Sequence, residues 1–318
     1  MDLTFTKHSN AKEHSIDGAL MVAVYLITYN HENYIAQAIE SIITQQTNFK
    51  YKLFIGEDSS TDNTGKICKE YAIKYPDKIS LRINRPNKLI VNSKSTYDAC
   101  FESGAKYVAM LEGDDYWTDT AKLQKQVDFL EAHSDYTFCG HVALVFDQTQ
   151  QKITDKFEWK KDTITLKDAV FSPAIHTSSQ VYRNGFGLPK NFFKINAGDD
   201  ALICYLAERG NGHYFRESMS VYRHSNIGTW STLNVKEKEY RALLIQTWIL
   251  KNYRVRVLEQ TQLIYTLYNS VKKFKTIFSV NYTTTQKTVI ICSIIYYKSS
   301  LLNLKIKKIM SQIYSKIK

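Results

Sequence analysis

Twelve glycines and four prolines are few for a chain of 318 residues. Collagen-like, low-complexity and disordered chains are excluded, because 44% hydrophobic and 23% charged residues describe a chain that can pack a core. Cysteine is scarce too. The five cysteines (68, 100, 139, 204 and 292) form no CxxC pair, lie more than 30 residues apart and leave one unmatched. A disulfide scaffold and a zinc knuckle are both disfavoured, and a reducing compartment is expected. Long apolar runs are missing as well. The first twenty residues hold no stretch of signal-peptide length, and TVIICSIIYY (288–297) is about half the ~20 residues that span a bilayer. The expectation is a cytoplasmic globular protein, with length for one large domain and an appendage or for two modest domains.

The net charge of +11 suggests a polyanionic partner until its distribution is read. Residues 233–318 carry 16 Lys/Arg against three Glu, which leaves residues 1–232 at −2. A near-neutral body with a basic tail argues against a nucleic-acid-binding domain, whose positive charge would lie on its folded recognition surface. Beyond 232 there is no Pro or Gly, and Leu243, Leu244, Trp248, Ile249 and Leu250 have helical spacing. The chain therefore divides into a short segment 1–19, a body 20–232 and a basic helical extension 233–318. That extension has two readings of equal weight. It lies on an anionic membrane surface, each Lys contributing ~1 kcal/mol, or it packs as a cap on the body or on a second subunit. Oligomerisation stays open.

Within the body, VAVYLI (22–27) reads as a buried strand, followed by Ile35, Ala38, Ile39, Ile42 and Ile43 at the spacing of an amphipathic helix. The pattern repeats: KLFIG (52–56), then a helix with Ile67, Tyr71 and Ile73 ended by Pro76; ISLRI (79–83), then a helix around 94–104; and YVAML (107–111). Further strands are expected at 142–146, 179–183 and 220–223, and a helix at 199–209. Such alternation implies an α/β fold with a doubly wound, mainly parallel sheet. In that architecture ligands bind beyond the carboxyl ends of the strands, where the loops 28–31, 57–64 and 112–117 should converge.

Chemistry is concentrated in those loops. Glu112-Gly113-Asp114-Asp115 follows a buried strand, and carboxylates so close prefer to share a cation. Hard oxygen ligands suit Mg2+ or Mn2+ held with a diphosphate. The plainer alternative is an acidic turn capping a helix that starts near Thr120; the position after YVAML and before Trp117 favours the cation. In Glu57-Asp58-Ser59-Ser60-Thr61-Asp62-Asn63-Thr64, residues 62–64 read as turn and helix cap, whereas Asp58 sits at a strand tip where it can accept an N–H from a base. Tyr29 offers a flat face for stacking.

Taken together, Thr28-Tyr29-Asn30, Glu57-Asp58-Ser59 with Asp62-Asn63-Thr64, and LEGDDYW (111–117) resemble the family 2 glycosyltransferases of the GT-A fold, a Rossmann-like architecture. Gly198-Asp199-Asp200 with ALICYLAERG, and SVYRHSNIGTWS (220–231), extend the resemblance over residues 20–232. It implies a nucleoside-diphosphate sugar donor, a glycan or lipid-linked acceptor, an inverting displacement and Mn2+ or Mg2+. By position, Tyr29 and Asp58 match base-binding residues, with Thr28 and Asn30 beside them. Glu112 stands where the family usually has the first Asp of a DxD-like motif, and Asp114 matches the metal ligand. Asp199 aligns with the general base that takes the acceptor proton, with Asp200 the neighbouring alternative. His224 resembles a residue that approaches the metal or diphosphate when its loop closes; a solvent-facing histidine is the plain alternative. Trp117 and His176 are assigned to the acceptor side, and Lys88 and Lys94 are candidate phosphate contacts. A nucleotidyltransferase would want a Gly-rich phosphate loop that TYNHENY lacks. A non-catalytic surface-binding protein leaves Asp114 and Asp199 without purpose.

Overall fold

The computed structural model describes residues 19–84, 88–171, 175–188, 192–195 and 198–224. The boundary expected near 232 and the basic extension lie outside the described residues. The first strand, β1 (Leu20–Thr28), leads to α1 (Ile35–Ile43), and β2 (Lys50–Glu57) to α2 (Thr64–Lys74). The pattern continues with β3 (Ile79–Ile83), α3 (Leu89–Glu102), β4 (Tyr107–Glu112), a two-residue β5 (Tyr116–Trp117) and α4 (Lys122–Ala132). Then come the long β6 (Tyr136–Asp147), β7 (Lys152–Phe157), β8 (Thr163–Ile164), α5 (Leu166–Phe171), β9 (Val181–Arg183), α6 (Gly198–Ala207) and the long β10 (Asn211–His224).

Period-two alternation explains why β1 is central. Val22, Val24 and Leu26 enter one core, with Ile35, Ala38, Ile39 and Ile42 of α1, Cys68 of α2 and Leu123, Val127 and Leu130 of α4. Ala23 and Tyr25 face the other core, with Tyr97 and Cys100 of α3 and the apolar side of α6. Three layers result, helices covering both faces of the sheet. Each large side chain so buried contributes roughly 1.5–3 kcal/mol. On α2 the expected stripe is wrong at one position: Ile73 is 80% exposed, because Thr64 and Cys68 set the inward face and Ile73 lies well round the helix from them.

The strand order is β3-β2-β1-β4-β9-β6-β10-β5, with β7 paired to β6 and β8 to β10. The first four strands are parallel, as expected. Beyond β4 the sheet becomes mixed. There β9 runs antiparallel to both β4 and β6, because it enters from a short 3-10 turn (Thr177–Ser179) rather than from a crossover helix. Two reversals restore direction, so β6 and β10, parallel to each other, end on the same edge as β1, β2 and β4. Chain order reverses beside β1, whose neighbours are β2 and β4; this is the switch point of the sheet. Among the described residues no helix is long and apolar enough to cross a membrane.

Candidate active site at the carboxyl edge of the sheet

The switch point is packed to contact. The Gly113 amide donates to the Ile27 carbonyl at 3.0 Å, continuing the β1–β4 ladder by one residue. A Cβ on Gly113 would stand 2.5 Å from Thr28 Oγ1 and 2.6 Å from Thr28 Cβ, so only glycine lets the acidic loop lie flush on β1. Thr28, buried, forms the wall and shares a 3.3 Å hydrogen bond between its hydroxyl and His31 Nδ1.

The β1–α1 loop is tied to the β2–α2 loop. Asn30, at φ 53°, accepts from the Thr61 amide at 2.9 Å through Oδ1, while its own amide donates to Ser60 Oγ at 3.0 Å. Glu32 and Asp62 exchange bonds with the opposite loop in the same way. Asn30 is therefore a tie between loops, with its carbonyl oxygen already engaged. Asp62 accepts the Thr64 amide at 2.9 Å, the turn role expected of it. Tyr29, by contrast, is 40% exposed and keeps an open ring face at this edge.

Asp58 is only 2% exposed, and its Oδ1 accepts the Lys88 amide at 3.0 Å. Burial and the neighbouring Glu57 charge raise its pKa, against the lowering effect of that N–H. Lys88 thus meets Asp58 through its backbone. Lys94 is ion-paired with Asp98 one helical turn on, which engages the ammonium proposed for phosphate.

Asp114 keeps its carboxylate partly open, 18% exposed, with Oδ2 3.8 Å from His31 Nε2. Asp115 beside it is fully buried. Its Oδ1 accepts the Arg223 amide at 2.9 Å, and its Oδ2 has no hydrogen-bond partner and lies 3.9 Å from His176 Nδ1. Burial first, then the charges of Asp114 and Glu112, push the Asp115 pKa well up. Burial holds His176 down to about 3, so its ring is neutral. Glu112, Asp115 and His176 offer one ligand atom each within 4.8 Å of one another. This donor set, mostly hard oxygen with a neutral imidazole and an unpartnered buried carboxylate oxygen, fits a divalent cation.

Several sequence-derived assignments land elsewhere. His224 closes β10 opposite Asp147 on β6, with its ring toward Tyr222, and the histidine that meets Asp114 is His31. On β10 it is Arg223 whose guanidinium donates to the Asp114 carbonyl. Trp117 is 4% exposed, donates its indole N–H to the Ser178 carbonyl at 2.9 Å and has the Lys122 ammonium over its ring. It props the 177–179 turn and offers no face to an acceptor. His176 caps that same turn and approaches the acids rather than standing apart from them. Asp199 and Asp200 fall in the first turn of α6, and their side chains lie outside the described residues. Sequence reading passed over His31, Asp115 and Arg223. The run Glu-Gly-Asp-Asp signalled Asp115, whereas nothing local marks the other two.

Fold and site together define a GT-A-type α/β protein with an acidic loop at the switch point of its sheet. The architecture is similar to that of Staphylococcus aureus TarS solved with UDP-GlcNAc, at a TM-score of 0.59 and 15% identity over 88% of this chain and 81% of that one. The chain belongs to glycosyl transferase family 2, whose model matches residues 23–184, just over half of it. An uncharacterised protein of Mycobacterium tuberculosis is 31% identical over 225 residues, 69% of this chain; the match spans 63% of that relative's length. The dTDP-rhamnosyl transferase RfbG of Shigella flexneri is 29% identical over 71% of this chain and 81% of its own.

Proposed function

We propose that the chain is an inverting glycosyltransferase that moves a sugar from a nucleoside-diphosphate donor, UDP-linked in the first instance, to a hydroxyl of a glycan or lipid-linked acceptor in surface polysaccharide synthesis. One observation carries the reading: an open aromatic ring (Tyr29), a buried carboxylate (Asp58) and the acidic loop Glu112–Asp115 meet beyond the ends of adjacent strands. Family membership, TarS with its bound UDP-GlcNAc and the rhamnosyl transferase relative support it.

In this reading Tyr29 stacks on the base and Asp58 accepts from a base N–H. Glu112 and Asp114, with Asp115 and His176 beneath them, hold Mn2+ or Mg2+, and His31 orients Asp114. A cation held there would offset charge on the departing diphosphate. A carboxylate of Asp199, or of Asp200 next to it, takes the acceptor hydroxyl proton as that oxygen bonds to the anomeric carbon and the bond from sugar to phosphate breaks. Attack from the face opposite the diphosphate gives inversion.

The test is a thermal-shift panel of UDP-, GDP- and dTDP-sugars, with and without Mn2+, on the intact chain and on Asp114→Asn. A donor at a hundredfold over its dissociation constant stabilises by ~2.7 kcal/mol. The expected pattern is a Mn2+-dependent shift that Asp114→Asn loses while keeping its own melting temperature. No shift with any donor, with or without Mn2+, would overturn the reading.

The basic extension is proposed to hold the enzyme at the cytoplasmic face of the membrane. Its excess of 16 Lys/Arg over three Glu supports this. Association with anionic vesicles should then fall steeply as the Debye length shortens from ~10 Å at 0.1 M to ~3 Å at 1 M salt. Undiminished binding at 1 M salt would reject it.

A further inference from the structure

Arg223, near the end of β10, reaches across to the acidic loop with both its backbone amide and its guanidinium. Its amide donates to Asp115 Oδ1 at 2.9 Å, while its guanidinium donates to the Asp114 carbonyl and to Gln37 Oε1 on α1. The guanidinium plane lies 4.4 Å from the Tyr116 ring centroid and 5.0 Å from that of Tyr34. At 7% exposure it is nearly sealed from water. The acceptor on Asp114 is its carbonyl, so the clasp fixes the backbone that carries the carboxylate and leaves the carboxylate itself turned outward.

We propose that Arg223 is a positioning residue for the cation site: it sets the Asp114 and Asp115 carboxylates in register with each other, from a strand that ends at the same edge. The inference rests on the donor reading above and adds to it a residue that touches neither donor nor cation. Two physical points support it. Glu112, Asp114 and Asp115 repel one another, and a buried guanidinium beside them offsets part of that repulsion before any cation arrives. A planar fork can hold two acceptors in different directions while lying over two aromatic rings, which the single ammonium of lysine does not reproduce. The partners come from α1, the loop after β4 and β5, so one side chain of β10 ties three other segments of the site together.

The test compares the intact chain with Arg223→Lys and Arg223→Met. The probes are Mn2+ alone, read by the loss of free-ion EPR signal, and UDP with and without Mn2+, read by calorimetry. The expected result is metal-free UDP affinity within twofold of the unmodified chain, because Tyr29 and Asp58 are untouched. Mn2+ binding and the Mn2+-dependent gain in UDP affinity should fall at least tenfold in both variants. Failure of lysine to rescue identifies geometry rather than charge. Should Arg223→Met fail to fold, Arg223→Lys, which keeps the charge and the stem, carries the same expectation. Mn2+ binding within twofold of the unmodified chain in either folded variant would overturn the proposal. Equal loss of metal-free and metal-dependent UDP binding would also overturn it, by reducing Arg223 to a general structural role. If the unmodified chain binds Mn2+ but no UDP, the UDP reading fails while the Mn2+ arm still decides the clasp.

Discussion

Lys122 is completely buried, its ammonium has no hydrogen-bond partner, and it lies 4.1 Å from the centroid of the Trp117 ring. Burial lowers its pKa from the ordinary 10.5 to about 7. At ~1.36 kcal/mol per unit that drop corresponds to roughly 4–5 kcal/mol against the charged form. A desolvated cation on an indole face returns about 2 kcal/mol of it. Lys122→Met keeps the stem volume and removes the charge, and is expected to raise stability at pH 7 by ~2 kcal/mol, or about 4–8 °C for a body of this size. The pH dependence gives a second signature. The unfolded lysine stays protonated to above pH 10, whereas the folded one releases its proton above about 7. Between those values the unfolded state binds more protons, so stability rises with pH. The unmodified chain should therefore gain ~2 kcal/mol from pH 7 to 9 relative to the variant. Urea unfolding of both proteins at pH 7, 8 and 9 measures the two effects together. A variant less stable than the parent at pH 7, or one that retains the full rise, would refute the reasoning.

Gly113→Ala places a methyl 2.5 Å from Thr28 Oγ1; it should cost ~1–3 kcal/mol by overpacking and weaken Mn2+-dependent UDP binding, and wild-type melting with wild-type binding would contradict it. Asp115→Asn retains an acceptor for the Arg223 amide and removes a charge whose pKa burial has raised. Its stability should match the parent at acid pH and exceed it near neutrality, since the raised acid loses stability as pH climbs through its folded pKa. Mn2+ affinity should fall in the same variant, and a drop in stability at neutral pH would count against it. For the proposed base, Asp199→Asn should slow transfer ~10²–10⁴-fold with donor affinity unchanged. If the Asp200→Asn variant is the inactive one, the base moves by a residue; if both stay active, the base lies elsewhere.

What the sequence determined by itself follows from local periodicity. The alternation within VAVYLI and the spacing of Ile35, Ala38, Ile39 and Ile42 each fix an element and its buried face, because 2.0 and 3.6 are short-range periods. Placing those elements in chain order is enough to bring Thr28, Asp58 and Glu112 to one edge, since parallel neighbours joined by crossovers end on the same side. Contacts between distant segments obey no such rule. Arg223 and Asp115 are separated by 108 positions and meet because β5, directly after the acidic loop, pairs antiparallel with β10 and sets Tyr116 opposite Val221. His31 meets Asp114 in the same way, from the loop after β1 to the loop after β4, a pairing that no local pattern announces. Trp117 shows the converse. An aromatic after an acidic loop suits a binding surface or a core, and only the arrival of Ser178 and Lys122 around its indole made it core.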